Sequence, residues 1–352
     1  MADIDLFHYR TLLGIISNNV NNPTFLRDRY FANIKTFKSK TVDIDILDKK
    51  QRKMAPFVRP RSPGSLSYLS GYHTDNFEPA TINPMIPLSG EDVLVRAPGE
   101  TIYSPISPEQ RMAMMTREAL STLDEEITRR EEWMAAQALF TGKIPVKGEG
   151  IDAEIDFWHD LEEDEKPQTT VAVKWDQTGA DPLGDLRAVY DHVGNESGLT
   201  PVEAILGSDA WQALLKVLLT NGAMDVRRIV LGEIQPQELP NGVSYKGTLL
   251  EPNLRLYTYN GLYLDDETNK NVPFVPKDKV LIACRDVKTT RAYGMVNILT
   301  EDNKSQWVAA PRVPNSWVQR TEPVGRVIQV SSKPLPIINQ PQGFHVMTVI
   351  GS

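Results

Sequence analysis

Ser107-Pro108-Glu109-Gln110 opens, and Ala138-Leu139-Phe140-Thr141-Gly142-Lys143 closes, the stretch on which the fold turns. Ser107 stands where an N-cap belongs, Pro108 suits the first helical position, and Gln110 lies three residues after the cap. The cap hydroxyl and the Gln110 side chain can therefore satisfy each other's backbone N–H groups. Apolar side chains then recur at Met112, Met115, Ala119, Leu120, Leu123, Ile127, Met134 and Ala138. This is helical spacing over about nine turns, a rod of roughly 50 Å. Glu118, Asp124, Glu125, Arg129 and Glu132 fall on the other side, and Glu125–Arg129 and Glu126–Arg130 have the favourable acid-first order four residues apart. Gly142 supplies the stop. The spacing predicts a helix over 108–140, covered on one flank by a sheet. A helix that long is either the core of a large enzyme or the strut of a structural protein.

Outward from this rod, the bulk numbers are those of a folded chain. With 352 residues, 41% of them hydrophobic and 24% charged, it can bury a large core divided between two or more lobes. The net charge of −8 argues against a general nucleic-acid binder. That charge is uneven. Residues 1–61 hold 12 Lys/Arg against 6 Asp/Glu, leaving 26 basic and 40 acidic residues for the rest of the 38 and 46. A basic amino-terminal segment on an acidic body is a reason for copies to attract one another. Cys284 is the only cysteine, so no intrachain disulfide or thiolate cluster is available, which fits a reducing compartment. The first ten residues lack the apolar run of a signal peptide, and no run reaches a membrane span.

Upstream of the helix, residues 4–20 read as a short amphipathic helix and 24–31 as a further turn. Thr41–Ile46 alternates strictly, as a half-wet strand does. From Leu47 to Thr101 no helix pattern occurs. Lys49, Lys50, Arg52, Lys53, Arg59 and Arg61 surround Met54-Ala55-Pro56-Phe57-Val58, and Tyr68, Tyr72 and Phe77 follow. This segment is too apolar for a solvated linker and too long for an ordinary loop. It reads as an extended β-hairpin that docks on another subunit. Stacking on single-stranded nucleic acid is the other use of such aromatic and basic mixtures.

Downstream, Ile151–Phe157 alternates apolar and acidic, Asp160–Glu165 is an acidic turn, and Thr170–Trp175 is expected to return as the partner strand. A new lobe starts at Asp181-Pro182, with helices over 182–194 and 209–219, the second capped by Ser208. Strands follow at 202–206, 243–246, 254–259, 261–264 and 279–284, and the last fifty residues return to extended chain at 307–309, 316–320, 326–332 and 346–350. The five histidines are scattered. Asp152, Glu154 and Asp156 share a strand face and could imitate a cation site for a hydrolase, although a solvated face explains them as well. No phosphate loop, nucleophile elbow or metal-ligand pair occurs, so no catalytic residue, cofactor or metal is expected.

Short stretches in collinear order carry a resemblance. They are Phe25-Leu26-Arg27, Met54-Ala55-Pro56-Phe57-Val58, Gly150-Ile151-Asp152-Ala153-Glu154-Ile155-Asp156, Trp175 with Asp181-Pro182, Val243-Ser244-Tyr245-Lys246-Gly247, and Phe274-Val275-Pro276. Arg291-Ala292-Tyr293-Gly294, Pro314-Asn315-Ser316-Trp317-Val318 and Ser331-Ser332-Lys333-Pro334-Leu335-Pro336 complete the set. Over nearly its whole length the chain resembles the lambda-type phage major capsid proteins, which have the α+β Hong Kong 97-type fold.

The resemblance implies a non-enzymatic shell subunit that forms hexamers and pentamers of an icosahedron around double-stranded DNA. It implies an amino-terminal arm (1–46), an extension loop (47–106), a peripheral domain with its spine helix (107–180), an axial domain (181–295) and a return to the peripheral domain (296–352). The protein would belong to the virion, after assembly in the host cytoplasm without a membrane. Its partners would be its own copies, a portal, a decoration protein and a separate scaffolding protein, since no long scaffolding segment precedes the arm. Expected subunit contacts are Lys49, Lys50, Arg52, Lys53, Met54, Phe57, Arg59, Arg61, Tyr68, Tyr72 and Phe77, with Asp160, Glu162, Glu163 or Glu132 as acidic counterparts. A tail-tube or connector-ring subunit is the nearest alternative.

Overall fold

The computed structural model describes residues 9–17, 24–39, 41–47, 54, 57, 72–92, 107–148, 150–159, 161–163, 165–220, 237–239, 242–249, 251–266, 268–299, 305–321 and 324–351. The described residues hold five α-helices: α1 (Tyr9–Ser17), α2 (Leu26–Tyr30), α3 (Pro108–Thr141), α4 (Pro182–Ser197) and α5 (Ser208–Thr220). The caps of α3 form as the sequence requires. Gln110 N–H donates to Ser107 Oγ at 3.2 Å, and Ser107 N–H donates to Gln110 Oε1 at 3.1 Å. At the far end Gly142 takes φ +68°, and its N–H donates to the Ala138 carbonyl.

That C-cap is sterically tight as well as left-handed. A Cβ on Gly142 would sit 2.1 Å from the Trp158 indole. Gly142→Ala is therefore expected to cost about 2 kcal/mol, from the left-handed backbone plus displacement of a buried ring. Thermal unfolding of the purified variant measures it, and an unchanged midpoint would contradict the packing.

Around α3 the chain builds two sheets that matter for function. A seven-stranded mixed sheet runs in the order Gln168–Thr170, Phe344–Thr348, Lys279–Cys284, Pro201–Leu206, Leu254–Tyr259, Val243–Leu249 and Gln237–Leu239. Its strands are apolar on both faces because both are covered. Val280, Ile282 and Cys284 face α4 and α5, which contribute Leu186, Val189, Val193, Ala210 and Leu214. Leu281 and Ala283 face the core that holds the arm and the C-terminal half of α3. A second sheet, Val313–Gln319, Gly325–Ser331 and Met85–Ser89, lays Leu88, Ile328 and Val330 on Leu120, Leu123 and Ile127 of α3, with Leu12 and Ile16 of α1 closing the side.

The base of the expected extension hairpin is present: Val42–Leu47 pairs antiparallel with Tyr72–Phe77, from Val42↔Phe77 to Leu47↔Tyr72. Residues 48–53, 55, 56, 58–71 and 93–106 lie outside the described residues.

Three expectations are corrected. Ile151–Asp156 does not pair with 170–175. It pairs with Lys143–Gly148 through a tight turn at Gly150 (φ +77°), while Gln168–Thr170 joins Phe344–Thr348 in parallel. The short turn closes at lower entropic cost, and it sets Lys143 opposite Asp156 and Lys147 opposite Asp152. Asp124 and Glu132 do not lie on a wet face of α3; both are buried. Ser208 opens α5 from inside, its hydroxyl donating to Asp209, and Gly207 provides the first helical carbonyl to Trp211 N–H.

Candidate assembly interface

Glu132 is buried because the arm segment Thr24–Phe31 lies across α3. Its carboxylate accepts three backbone N–H groups: Phe25 at 3.0 Å and Leu26 at 2.8 Å on Oε1, and Arg27 at 2.9 Å on Oε2. It thereby caps α2 from a residue more than a hundred positions away. Burial raises its carboxyl above the usual range, against the pull of those N–H groups.

Immediately before it in α3, Glu131 is the centre of a charge cluster. Arg312 donates to its Oε1 at 2.6 Å and to Asp124 at 2.6 Å; Arg27 donates to its Oε2 at 2.8 Å; the Tyr293 hydroxyl donates at 3.1 Å. Asp28, in turn, bridges Arg27 (2.9 Å) and Arg291 (3.2 Å). Burial works to raise the Glu131 carboxyl, but Arg312, Arg27 and Arg291 outweigh it and hold it below the ordinary carboxylate range. Burial likewise pushes the Tyr293 hydroxyl up to about 12, with Glu131 adding to it.

The same arm segment grips the seven-stranded sheet. Arg29 forms a two-pronged pair with Glu203, and its guanidinium lies 4.8 Å over the Tyr257 ring. Tyr30 donates to Glu203 at 3.3 Å. The arm is thus a wedge between the spine helix and the sheet, held by buried ions on both sides.

The expected contact residues separate into groups. Met54 and Phe57 stand fully in solvent, at 89% and 106% exposure. Phe77 is half-buried against Phe157, with ring centroids 6.3 Å apart. Tyr72 lies on the hairpin strand opposite Leu47. Lys49, Lys50, Arg52, Lys53, Arg59, Arg61, Tyr68 and Asp160 lie outside the described residues. Glu162 and Glu163 are exposed, Glu163 pairing with Lys166. Glu132 is engaged by the arm and cannot serve as an acidic counterpart. Glu154 and Asp156 do share a face, where both bind the Lys143 ammonium at 2.7 and 2.9 Å, so an internal cation already occupies that pair.

Sequence reasoning missed a second feature. His192 and His345, far apart in the chain, meet edge-to-face at 5.3 Å. His345 Nε2 lies 2.7 Å from Thr169 Oγ1, and burial, then His192, pulls its pKa down to about 4. They line a cleft of about 240 Å³ with Glu165, Pro167, Val193, Glu196, Gln342 and Phe344. No spacing in the sequence announces it, because three separate segments supply its walls.

With this geometry in place, the chain can be compared with known proteins. The family model for phage major capsid protein E matches residues 8–349. Over 297 residues the chain is 25% identical to the major capsid protein of Escherichia phage lambda, covering 83% of this chain and 84% of that one. It is 23% identical over 349 residues to the major capsid protein of Enterobacteria phage P21, covering 98% and 99%. Among solved structures, a prophage protein of E. coli CFT073 named for a capsid role superposes with a TM-score of 0.69 at 19% identity, over 97% and 98% of the two chains. A phage-related protein of Bordetella bronchiseptica RB50 gives a TM-score of 0.54 at 9% identity. The last two likenesses speak for the fold.

Proposed function

The chain belongs to the phage major capsid protein E family, and from that premise we propose that it assembles into hexamers and pentamers of an icosahedral shell enclosing double-stranded DNA. It is a structural protein of the virion and not an enzyme, with the α+β Hong Kong 97-type fold. The observation that carries the assembly reading is the pair Met54 and Phe57. Both are left wholly in water, inside a segment rich in basic residues between the paired strands Val42–Leu47 and Tyr72–Phe77. Apolar side chains placed so are covered by something outside the chain, and a neighbouring copy is the available cover.

In this reading residues 47–106 are an extension loop laid on a neighbour, 107–180 and 296–352 form a peripheral domain, and 181–295 an axial domain. The arm of 1–46 is wedged at Thr24–Phe31 and continues beneath an adjacent subunit. A separate scaffolding protein, a portal and a decoration protein complete the particle, and assembly takes place in the host cytoplasm. The overall charge of −8 suits a wall along which packaged DNA slides without sticking.

Charge attraction between the basic segment and the acidic body drives early association. The double variant Arg52→Glu, Lys53→Glu is accordingly expected to lower the yield of closed particles about tenfold, and raised salt to slow wild-type assembly. Sedimentation of lysates co-expressing the scaffold reads both. Normal particle yield from the variant would remove the electrostatic contact from the account.

A further inference from the structure

The sheet of Val313–Gln319, Gly325–Ser331 and Met85–Ser89 has one face on α3, where Ile86, Leu88, Ile328 and Val330 point. Side chains alternate along a strand, so the residues between these form the opposite face. At one end of that face Val313 is covered by Val296 and Ile298. The rest is three cross-strand rows: Asn315–Gln329–Met85, Trp317–Val327–Pro87 and Gln319–Gly325–Ser89. Trp317, Met85 and Pro87 are exposed, Met85 at 61%, and Val327 is buried in register between Trp317 and Pro87. None of these nine positions carries a charge, in a chain with 24% charged residues. Arg326, on the middle strand, turns to the α3 side and donates to Ser316 Oγ at 3.2 Å.

The edges of this sheet offer few donors for strand addition. Pro314 and Pro87 have no N–H, the Ser316 N–H donates to Asn315 Oδ1 at 2.9 Å, and the Ser89 N–H donates to Asp92 at 2.9 Å. A partner therefore meets the face rather than the edge.

We propose that this face is a two-fold contact between copies of the chain. An uncharged patch with Trp, Met and Pro exposed suits the centre of such a contact, and two acidic bodies can meet there without repulsion. Rotation about an axis parallel to the strands lays Val313–Gln319 of one copy over Met85–Ser89 of the other, in aligned sheet-on-sheet packing. Trp317 then covers the partner's Pro87, and the reverse. The same rotation keeps the ends of the strands together, so Arg320, next to Gln319, comes beside the partner's Glu91, just past Ser89. Arg320 and Glu91 are exposed, and neither has a hydrogen bond or ion pair among the described residues. Within one subunit they belong to opposite edges of the sheet; across the two-fold they form two opposite-charge pairs. The inference rests on the shell reading for its second copy and adds one contact to it.

Complementation between two variants tests the contact. Arg320→Glu alone and Glu91→Arg alone set like charges against each other at both ends of the two-fold, and each is expected to lower shell yield about tenfold. Co-expressed with one another and the scaffold, the two variants pair Glu with Arg at both ends. Yield is then expected to return to within about twofold of wild type, a rescue in trans that no contact inside one subunit can give. Undiminished yield from either variant, or no recovery on co-expression, rejects the contact and leaves the shell reading intact.

Sedimentation equilibrium of the purified, unassembled subunit gives a second decision that needs no shell. Wild type is expected to form dimers and no larger species through this face. Met85→Glu, at an exposed position, is expected to weaken the dimer at least tenfold with an unchanged thermal midpoint. A subunit that stays monomeric, or a dimer indifferent to Met85→Glu, overturns the proposal. Wild-type protein that dimerises but builds no shells with its scaffold defeats the shell reading and keeps the contact.

Discussion

Replacing Glu131 by alanine is expected to lower the stability of the folded subunit by about 3–5 kcal/mol, the largest single-residue effect outside the apolar core. Glu131 is almost wholly buried and accepts from Arg27, Arg312 and Tyr293 together. Taking it away leaves two guanidinium groups, themselves 10% and 12% exposed, facing one another across the vacated carboxylate. Asp124 keeps one hydrogen bond from Arg312 and Asp28 keeps two from Arg27, which moderates the loss without cancelling it. The loss also joins separate parts of the chain, because Arg27 lies on the arm, Glu131 on the spine helix, and Arg312 beside the Val313–Gln319 strand.

The pH dependence has a definite sign. The folded carboxyl is held below its ordinary value of 4.5, so its contribution is complete above that value and is lost as pH falls through the lower folded value. Urea unfolding of the unassembled subunit measures the effect at neutral pH. A change smaller than about 1 kcal/mol would mean the cluster is not the clamp described.

Mild acid should act on a different group. His345 has its pKa lowered from 6.5 to about 4, first by burial and then by His192. Since the folded state prefers the neutral ring, full stability holds above pH 6.5. Between pH 6.5 and 4 the unfolded chain takes up a proton that the folded chain refuses. The loss accumulates to about 3 kcal/mol across that interval. His192 on α4, Thr169 on the edge strand and the nearby Glu165 and Glu196 are the groups that face the ring or its cleft. His345→Gln keeps a hydrogen-bonding side chain and removes this titration, so its urea midpoint should fall less from pH 6.5 to 4.5 than that of the wild type. Equal slopes for the two proteins would show that His345 is not the titrating group.

What could be read from the sequence follows from how local each signal is. The spine helix was fully specified by neighbours along its own chain: the Ser107–Gln110 pair at one end, Gly142 at the other, and a stripe between. The same local view put Asp124 and Glu132 in water, because helical periodicity cannot register a segment that arrives from residues 24–31 to cover them. Pro334–Ile338 escaped notice as a strand because two prolines interrupt its donors. It survives as the edge of a three-stranded sheet beside Thr289–Tyr293, where prolines are tolerated.

For the proposed subunit contact, composition disclosed the basic and apolar segment, since six cations lie close in sequence to Met54 and Phe57. The His345 cleft could not be read the same way. Glu165, His192, Gln342 and His345 come together only after α4, the acidic turn and the carboxy-terminal strand have packed. Charge asymmetry between residues 1–61 and the remainder gave the direction of the attraction, but not its address.

The central claim, that copies of this chain cover one another's extension loops in a closed shell, is tested most directly by electron cryomicroscopy of particles produced with the scaffold. The account predicts icosahedral shells of pentamers and hexamers in which residues 47–106 of each copy lie against a neighbour. Rings or tubes, or shells in which that loop folds back on its own subunit, would contradict it.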